Sequence, residues 1–101
     1  MMKIVIAGKV AVKRERRDEA IRVALAMAEA TRAEPGCVEY RFSTDLGDPD
    51  TFCIFEEWDG EEALERHFRS EHMKVFQQAL PELLAGGVVI RRYAVASVSD
   101  M

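Results

Sequence analysis

The sequence predicts an α+β fold in the order βαββαβ, and three observations carry that expectation. An alternating apolar stretch at 2–12 runs into a long amphipathic segment. Two further β-rich stretches flank a short connection of glycine, proline and aspartate, and a second amphipathic region precedes a last apolar run. Strands joined this way form a four-stranded antiparallel sheet with the helices on one face, the split βαβ or ferredoxin-like arrangement. At 101 residues, 49% of them apolar, the chain is expected to be a single domain, 1–101, with a small core.

In the first strand, 2–12, Ile4, Ile6, Val10 and Val12 share a face with Gly8 among them. A glycine inside a strand leaves a gap that a bulge, a neighbouring element or a ligand can use, and a bulge is the simplest of the three. The helix at 14–33 buries Ala20, Val23, Ala24, Met27, Ala30 and Thr31, a stripe widened by Ile21, Leu25 and Ala28. Glu34-Pro35-Gly36 stops it: proline pushes the residue before it out of the α region, and glycine permits the reversal. The second strand, 37–45, sets Val38, Tyr40 and Phe42 opposite Cys37, Glu39, Arg41 and Ser43. LGDPD at 46–50 is the hairpin loop, and 51–58 returns antiparallel. If residue 44 pairs with 51, Tyr40 lies across from Phe55 and on the face opposite Trp58. Arg41, Glu39 and Glu56 then share a face as cross-strand ion pairs, and a one-residue slip reverses the two faces.

The strand ending in Trp58 turns at Asp59-Gly60 into a helix whose apolar face is Ala63, Leu64, His67 and Phe68. Ser70 reads as the cap of a second short helix, 70–80, with Met73, Phe76 and Leu80 at helical spacing. Pro81 opens another turn, PELLAG, and the last strand at 87–98 alternates only partly, as a strand covered on both faces would. The final SVSDM reads as a frayed or partner-contacting tail. Ile4, Ile6, Val88, Ile90, Tyr93 and Val95 supply apolar groups to both sheet faces, so two sheets are predicted to pack face to face in a homodimer.

The net charge of −4, with signs intermixed, argues against a nucleic-acid surface, and KRERR at 13–17 reads as a solvated helix face. Without a long apolar run or a signal-peptide shape at Met1-Met2-Lys3, the expectation is a cytoplasmic protein. Cys37 and Cys53 fit neither a CxxC spacing nor a disulfide framework and read as small buried apolar residues.

The candidate chemistry centres on the two histidines. His67, on an apolar helix face, is either a core residue bonded to a carbonyl or a proton acceptor whose reference pKa of about 6.5 suits neutral pH. On one continuous helix His72 would point about 140° away from it, and only a break at Ser70 brings the two together. They lack i, i+4 spacing and a convergent third ligand, so no metal site is expected. Trp58 caps a pocket with its ring and N–H or anchors the core. Tyr40, Phe42 and Phe55 line a pocket or fill the core, and Arg91, Arg92 and Tyr93 offer a cation and a phenol on the last strand.

In this order of elements, EPGCVEYRF (34–42) and FCIFEEWDGEEALERHFRSEHMKVF (52–76) resemble the antibiotic biosynthesis monooxygenase family and, within it, the small quinol monooxygenases. The most recognisable parts are Glu34-Pro35-Gly36-Cys37, Glu56-Glu57-Trp58, and Ala63-Leu64 followed by His67 and Ser70-Glu71-His72-Met73. The resemblance covers nearly the whole chain. It implies a dimeric α+β barrel with a pocket in each subunit between helices and sheet. It also implies a small aromatic substrate and O2, and no metal or flavin: a quinol is deprotonated, its anion reduces O2, and the peroxide collapses to quinone and water. His67 is then the catalytic residue, with Trp58, His72, Tyr40, Phe42, Phe55 and Phe76 binding substrate. The family's haem-degrading branch wants an asparagine on the first strand, a tryptophan in the helix and a later axial histidine. This chain has Gly8 or its neighbours, His67 and Gln77 there, three departures that argue against haem. Two other readings stay open: an isomerase or lyase with His67 as proton shuttle, and a non-catalytic dimeric small-molecule-binding protein.

Overall fold

A computed structural model describes residues 2–101, and Met1 lies outside them. β1 (Lys3–Val12) leads through one 3-10 turn at Arg14–Arg16 into α1 (Arg17–Arg32). β2 (Cys37–Asp45) and β3 (Asp48–Trp58) form a hairpin, α2 (Glu61–Phe68) and α3 (Glu71–Leu83) follow, and β4 (Leu84–Val95) comes last. The sheet is antiparallel in the order β2-β3-β1-β4, the ferredoxin-like α+β fold the sequence predicts.

The helices cover one face of the sheet. Ile4 and Ile6 of β1, Tyr40 of β2 and Trp58 of β3 meet Met27 of α1, Leu64 of α2 and Met73 of α3 in the main core. Val12, Ala20, Phe52 and Leu83 make a second cluster at the other end. α1 starts three residues later than expected because Arg14–Arg16 form the tighter turn. Arg14 and Arg17 then reach the β2–β3 hairpin, at Asp50 (3.0 Å) and the Pro49 carbonyl (2.9 Å).

The hairpin departs from expectation in a way that rearranges the faces. Its turn is only Leu46-Gly47, and β3 begins at Asp48. Asp45 pairs with Asp48 but Thr44 pairs with Phe52, so Pro49 and its neighbours bulge out of the ladder, where a residue without an N–H costs least. Tyr40 therefore pairs with Glu56 and not with Phe55. A second irregularity, Cys37 opposite Trp58 and Glu39 opposite Glu57, makes Val38 the extra residue. Tyr40 and Trp58 thus lie on the same helix-covered face, with Cys37 packed beside them, while Val38 is exposed. The expected ion-pair face is corrected as well: Glu56 is buried under the helices, and Arg41 pairs with Glu39 on the opposite side.

Gly8 is not a bulge. It pairs regularly with Ile54 and Ile90, and a Cβ there would lie 2.7 Å from the Ile90 Cα and against the Val89 carbonyl, so β4 fills the gap. The irregularity in the β1–β4 ladder falls opposite Val10 to Val12, where Gly87 and Ala85 of β4 are the extra residues. α3 runs straight through Pro81 in its last turn and passes directly into β4, which starts three residues before the expected position. Phe68 is exposed, and both cysteines are free and only partly buried. Among the described residues nothing covers the side chains of Val88, Val89, Ile90 and Tyr93 on β4, which are all exposed. No helix among the described residues is long and apolar enough to cross a membrane.

Candidate active site

Three segments converge on one carboxylate. Glu34 follows the end of α1, its N–H bonded to the Thr31 carbonyl at 2.9 Å. Gly36 then takes φ +84°, and a Cβ there would sit 2.5 Å from that of Ala63, so the turn lies flat against α2 as only glycine allows. Asp59 N–H donates to the Gly36 carbonyl at 2.9 Å and ties the turn to the end of β3.

α2 presents His67 to this turn, and the break after it presents His72. Ser70 Oγ donates to the His67 carbonyl (2.7 Å) and accepts from Met73 N–H (3.3 Å), closing one helix and capping the next. α3 consequently leaves at a new angle, and the two imidazole centroids stand 6.0 Å apart. Both rings reach the same oxygen: Glu34 Oε2 is 2.7 Å from His67 Nδ1 and 2.6 Å from His72 Nε2. The third convergent group that the sequence reading found missing is Glu34.

Proton bookkeeping fixes the tautomers. A carboxylate oxygen only accepts, so His67 donates from Nδ1 and His72 from Nε2, which leaves a lone pair on His67 Nε2 and on His72 Nδ1. The first is sealed: His67 is 0% exposed and its Nε2 has no partner. Burial pushes the His67 pKa down, against the pull of Glu34, and keeps the ring neutral. The His72 side chain is 27% exposed. It lines a cleft of about 470 Å³ between α1 and α3, with Val23, Met27, Val75 and Phe76 among the walls and Glu71 beside it.

Aromatic rings wall the buried half. Trp58 lies 4.8 Å from the His67 ring and Tyr40 5.6 Å from it. Trp58 Nε1 donates to Glu56 Oε1 at 2.9 Å, and burial raises the Glu56 carboxyl to about 7, with the Glu34 charge adding to the rise. Burial also holds the Tyr40 phenol far above its ordinary value, so it stays protonated.

The family profile described as antibiotic biosynthesis monooxygenase matches residues 3–79, a span that contains Glu34, Trp58, His67 and His72. The chain belongs to the antibiotic biosynthesis monooxygenase family. It is 34% identical to the Synechocystis protein sll1783 over 98 residues, 97% of this chain and 67% of that one. It is 30% identical over 89 residues to YcnE of Bacillus subtilis, provisionally named a monooxygenase, covering 88% of this chain and 94% of that one. A conserved Methanosarcina mazei protein of known structure superposes with a TM-score of 0.88 at 32% identity, over 94% of each chain.

In this member of the antibiotic biosynthesis monooxygenase family the structure brings His67, His72, Tyr40 and Trp58 together. Phe42 continues the row of rings with its centroid 5.5 Å from that of Tyr40, and Phe76 follows 5.9 Å from Phe42. Phe55 stands apart on the helix-free face, with Arg41 stacked 4.9 Å over it, because the shifted register turns it away. Two spaces lie between helices and sheet, about 30 Å³ beside Phe42, Phe52 and Phe76 and about 220 Å³ where Ile21, Ala24 and Leu25 of α1 meet Phe42, Thr44 and Phe52, while the cleft that His72 lines opens between α1 and α3. Reasoning from sequence missed Glu34 and Glu56. Glu34 did carry a signal, since a carboxylate just past a helix C-terminus opposes the helix dipole and needs another reason to be there.

Proposed function

We propose that this chain is a cofactor-independent monooxygenase that oxidises a small quinol or polyphenol with O2, with His72 as the proton acceptor. The observation that carries the reading is a carboxylate held between two imidazoles, one sealed and one opening onto an apolar cleft. The family description and the name of the Bacillus relative support the reaction class.

In this reading the substrate lies in the cleft against Met27, Val75 and Phe76. His72 Nδ1 takes the phenolic proton, and Glu34 on the far side of the ring balances the imidazolium that results. The phenolate gives electrons to O2, a carbon–oxygen bond forms, and the resulting peroxide loses water. One oxygen atom enters the quinone and the other leaves as water, with His72 returning its proton. The apolar cleft makes the first step, which creates phenolate and imidazolium, depend on Glu34 for balance, and favours the last, in which His72 gives its proton back and the charges disappear. His67 becomes a positioning residue that holds Glu34 from behind, since its sealed nitrogen reaches no substrate. The proposal includes a homodimer through the helix-free sheet face, supported by the exposure of Val89 and Tyr93 there.

The test is oxygen uptake with a panel of quinols, with a chelator present and no flavin added. Uptake matched by quinone formation is expected, falling about 100-fold in His72→Ala, the ordinary scale of a lost general base. A folded preparation that consumes no oxygen with any quinol rejects the reaction, and full activity in His72→Ala rejects the assignment of the base.

A further inference from the structure

We propose that Glu34, His67 and His72 form a binding site for one divalent first-row transition-metal ion, held by two imidazole nitrogens and one carboxylate oxygen. The inference goes beyond the oxidation proposed above and does not depend on it.

The donor set is the first reason. Glu34 Oε2, His67 Nδ1 and His72 Nε2 come from three separate segments, and the three ligand atoms lie within 4.8 Å of one another. Two histidines and one carboxylate are the set that zinc hydrolases and non-haem iron proteins use, and imidazole nitrogen suits that part of the transition series. Ligand distances of about 2.0–2.2 Å around a tetrahedral ion place neighbouring donors roughly 3.3–3.6 Å apart. The contacts of 2.7 and 2.6 Å to Glu34 therefore open by somewhat more than about half an ångström once the N–H protons leave, a side-chain adjustment within reach of the partly exposed His72.

Charge is the second reason. Glu34 makes no ion pair with a lysine or arginine within 4.0 Å among the described residues, and the partners it has are the two imidazoles. Its side chain is 13% exposed, and the buried carboxyl of Glu56 is close enough to feel its field. A largely buried negative charge without a cation costs free energy that a bound metal ion would offset.

Support and access complete the site. His67 is locked among Trp58, Tyr40 and its own helix end, so one ligand is already oriented. His72 and Glu71 line the cleft through which an ion enters. Binding carries a chemical consequence: a metal on His72 Nε2 sends that ring's proton to Nδ1, the nitrogen the proposed oxidation uses as a base. The metal-loaded protein is then inactive as the proposed monooxygenase.

The experiment titrates chelator-stripped protein with Co2+ and follows visible absorption, with Zn2+ competing for the same site. A cobalt band saturating at one ion per chain and abolished by Zn2+ is expected. The band is lost in Glu34→Gln and in His72→Asn, whose position is partly exposed and tolerates the change, and it is kept in Cys53→Ser. No saturable band in the wild type overturns the proposal, as does a band that survives in both ligand variants or that shows thiolate charge transfer and vanishes in Cys37→Ser. Oxygen uptake with and without one equivalent of Zn2+ is read separately. A protein that binds cobalt but never consumes oxygen keeps the metal site and loses the oxidation.

Discussion

Glu56 and His67 sit within one layer of side chains, and burial drives their proton equilibria in opposite directions. Folding raises the Glu56 carboxyl from 4.5 to about 7, so the native state keeps a proton that the unfolded chain releases across that interval. Its contribution to stability is complete below pH 4.5 and is lost as pH rises through 7, by about 3 kcal/mol. His67, held below 6.5, contributes fully above that value and loses its contribution as pH falls. Glu56→Gln keeps an acceptor for the Trp58 N–H and removes the first of these dependences. Urea unfolding at pH 5 and pH 8 is expected to show a midpoint that declines between the two in the wild type, where the larger Glu56 dependence outweighs that of His67, and no decline in the variant, where the opposite dependence of His67 is left. Neither group could be read in this way from sequence: His67 was legible as a residue on an apolar face, but Glu56 looked like a surface carboxylate because its burial follows from a hairpin register that pattern alone leaves open.

At the scale of elements, the chain change at Arg69-Ser70 decides whether two histidines five positions apart can meet. Ser70 serves both sides of it, closing α2 through the His67 carbonyl and capping α3 through Met73. Ser70→Ala is expected to cost about 1 kcal/mol, the usual value of a lost cap, and to lower Tm by about 4–8 °C for a chain of this size. Calorimetry reads the first effect. The proposed oxidation, measured on protein that remains folded, is expected to fall as well, because His72 loses its fixed bearing on Glu34. Ser70 was legible as a cap because serine before an amphipathic run has one strong local use. The hairpin was not, because Pro49 and Val38 each displace the ladder by amounts that alternation cannot register, and two such displacements reverse which side chains share a face.

At the scale of the whole molecule, one layer of helices lies on one sheet, and the shortest dimension of the chain is 19 Å. β4 forms an edge of that sheet with apolar side chains exposed on both faces, Val89 and Tyr93 on the helix-free side and Val88 and Ile90 on the other. An exposed edge strand of this kind calls for a covering partner. Sedimentation of the wild type is expected to give twice the mass of one chain, and Val89→Asp to give a single-chain mass by placing a charge where the second sheet would lie. The layer order was the most legible feature of all, because the succession of strands and amphipathic segments admits few topologies. The position of the larger cleft was the least, since it depends on how α3 leaves Ser70 and not on any one segment's pattern.

The chain has a single tryptophan, and it is the fully buried Trp58, stacked 4.8 Å from His67. Emission excited at the red edge of the absorption, where Tyr40 and Tyr93 do not absorb, therefore originates from one indole beside the ring that Glu34 orients. Changes in the yield or colour of that emission on adding protons, ligands or paramagnetic ions report on this neighbourhood alone, and the molecule needs no attached dye to be followed at its own centre.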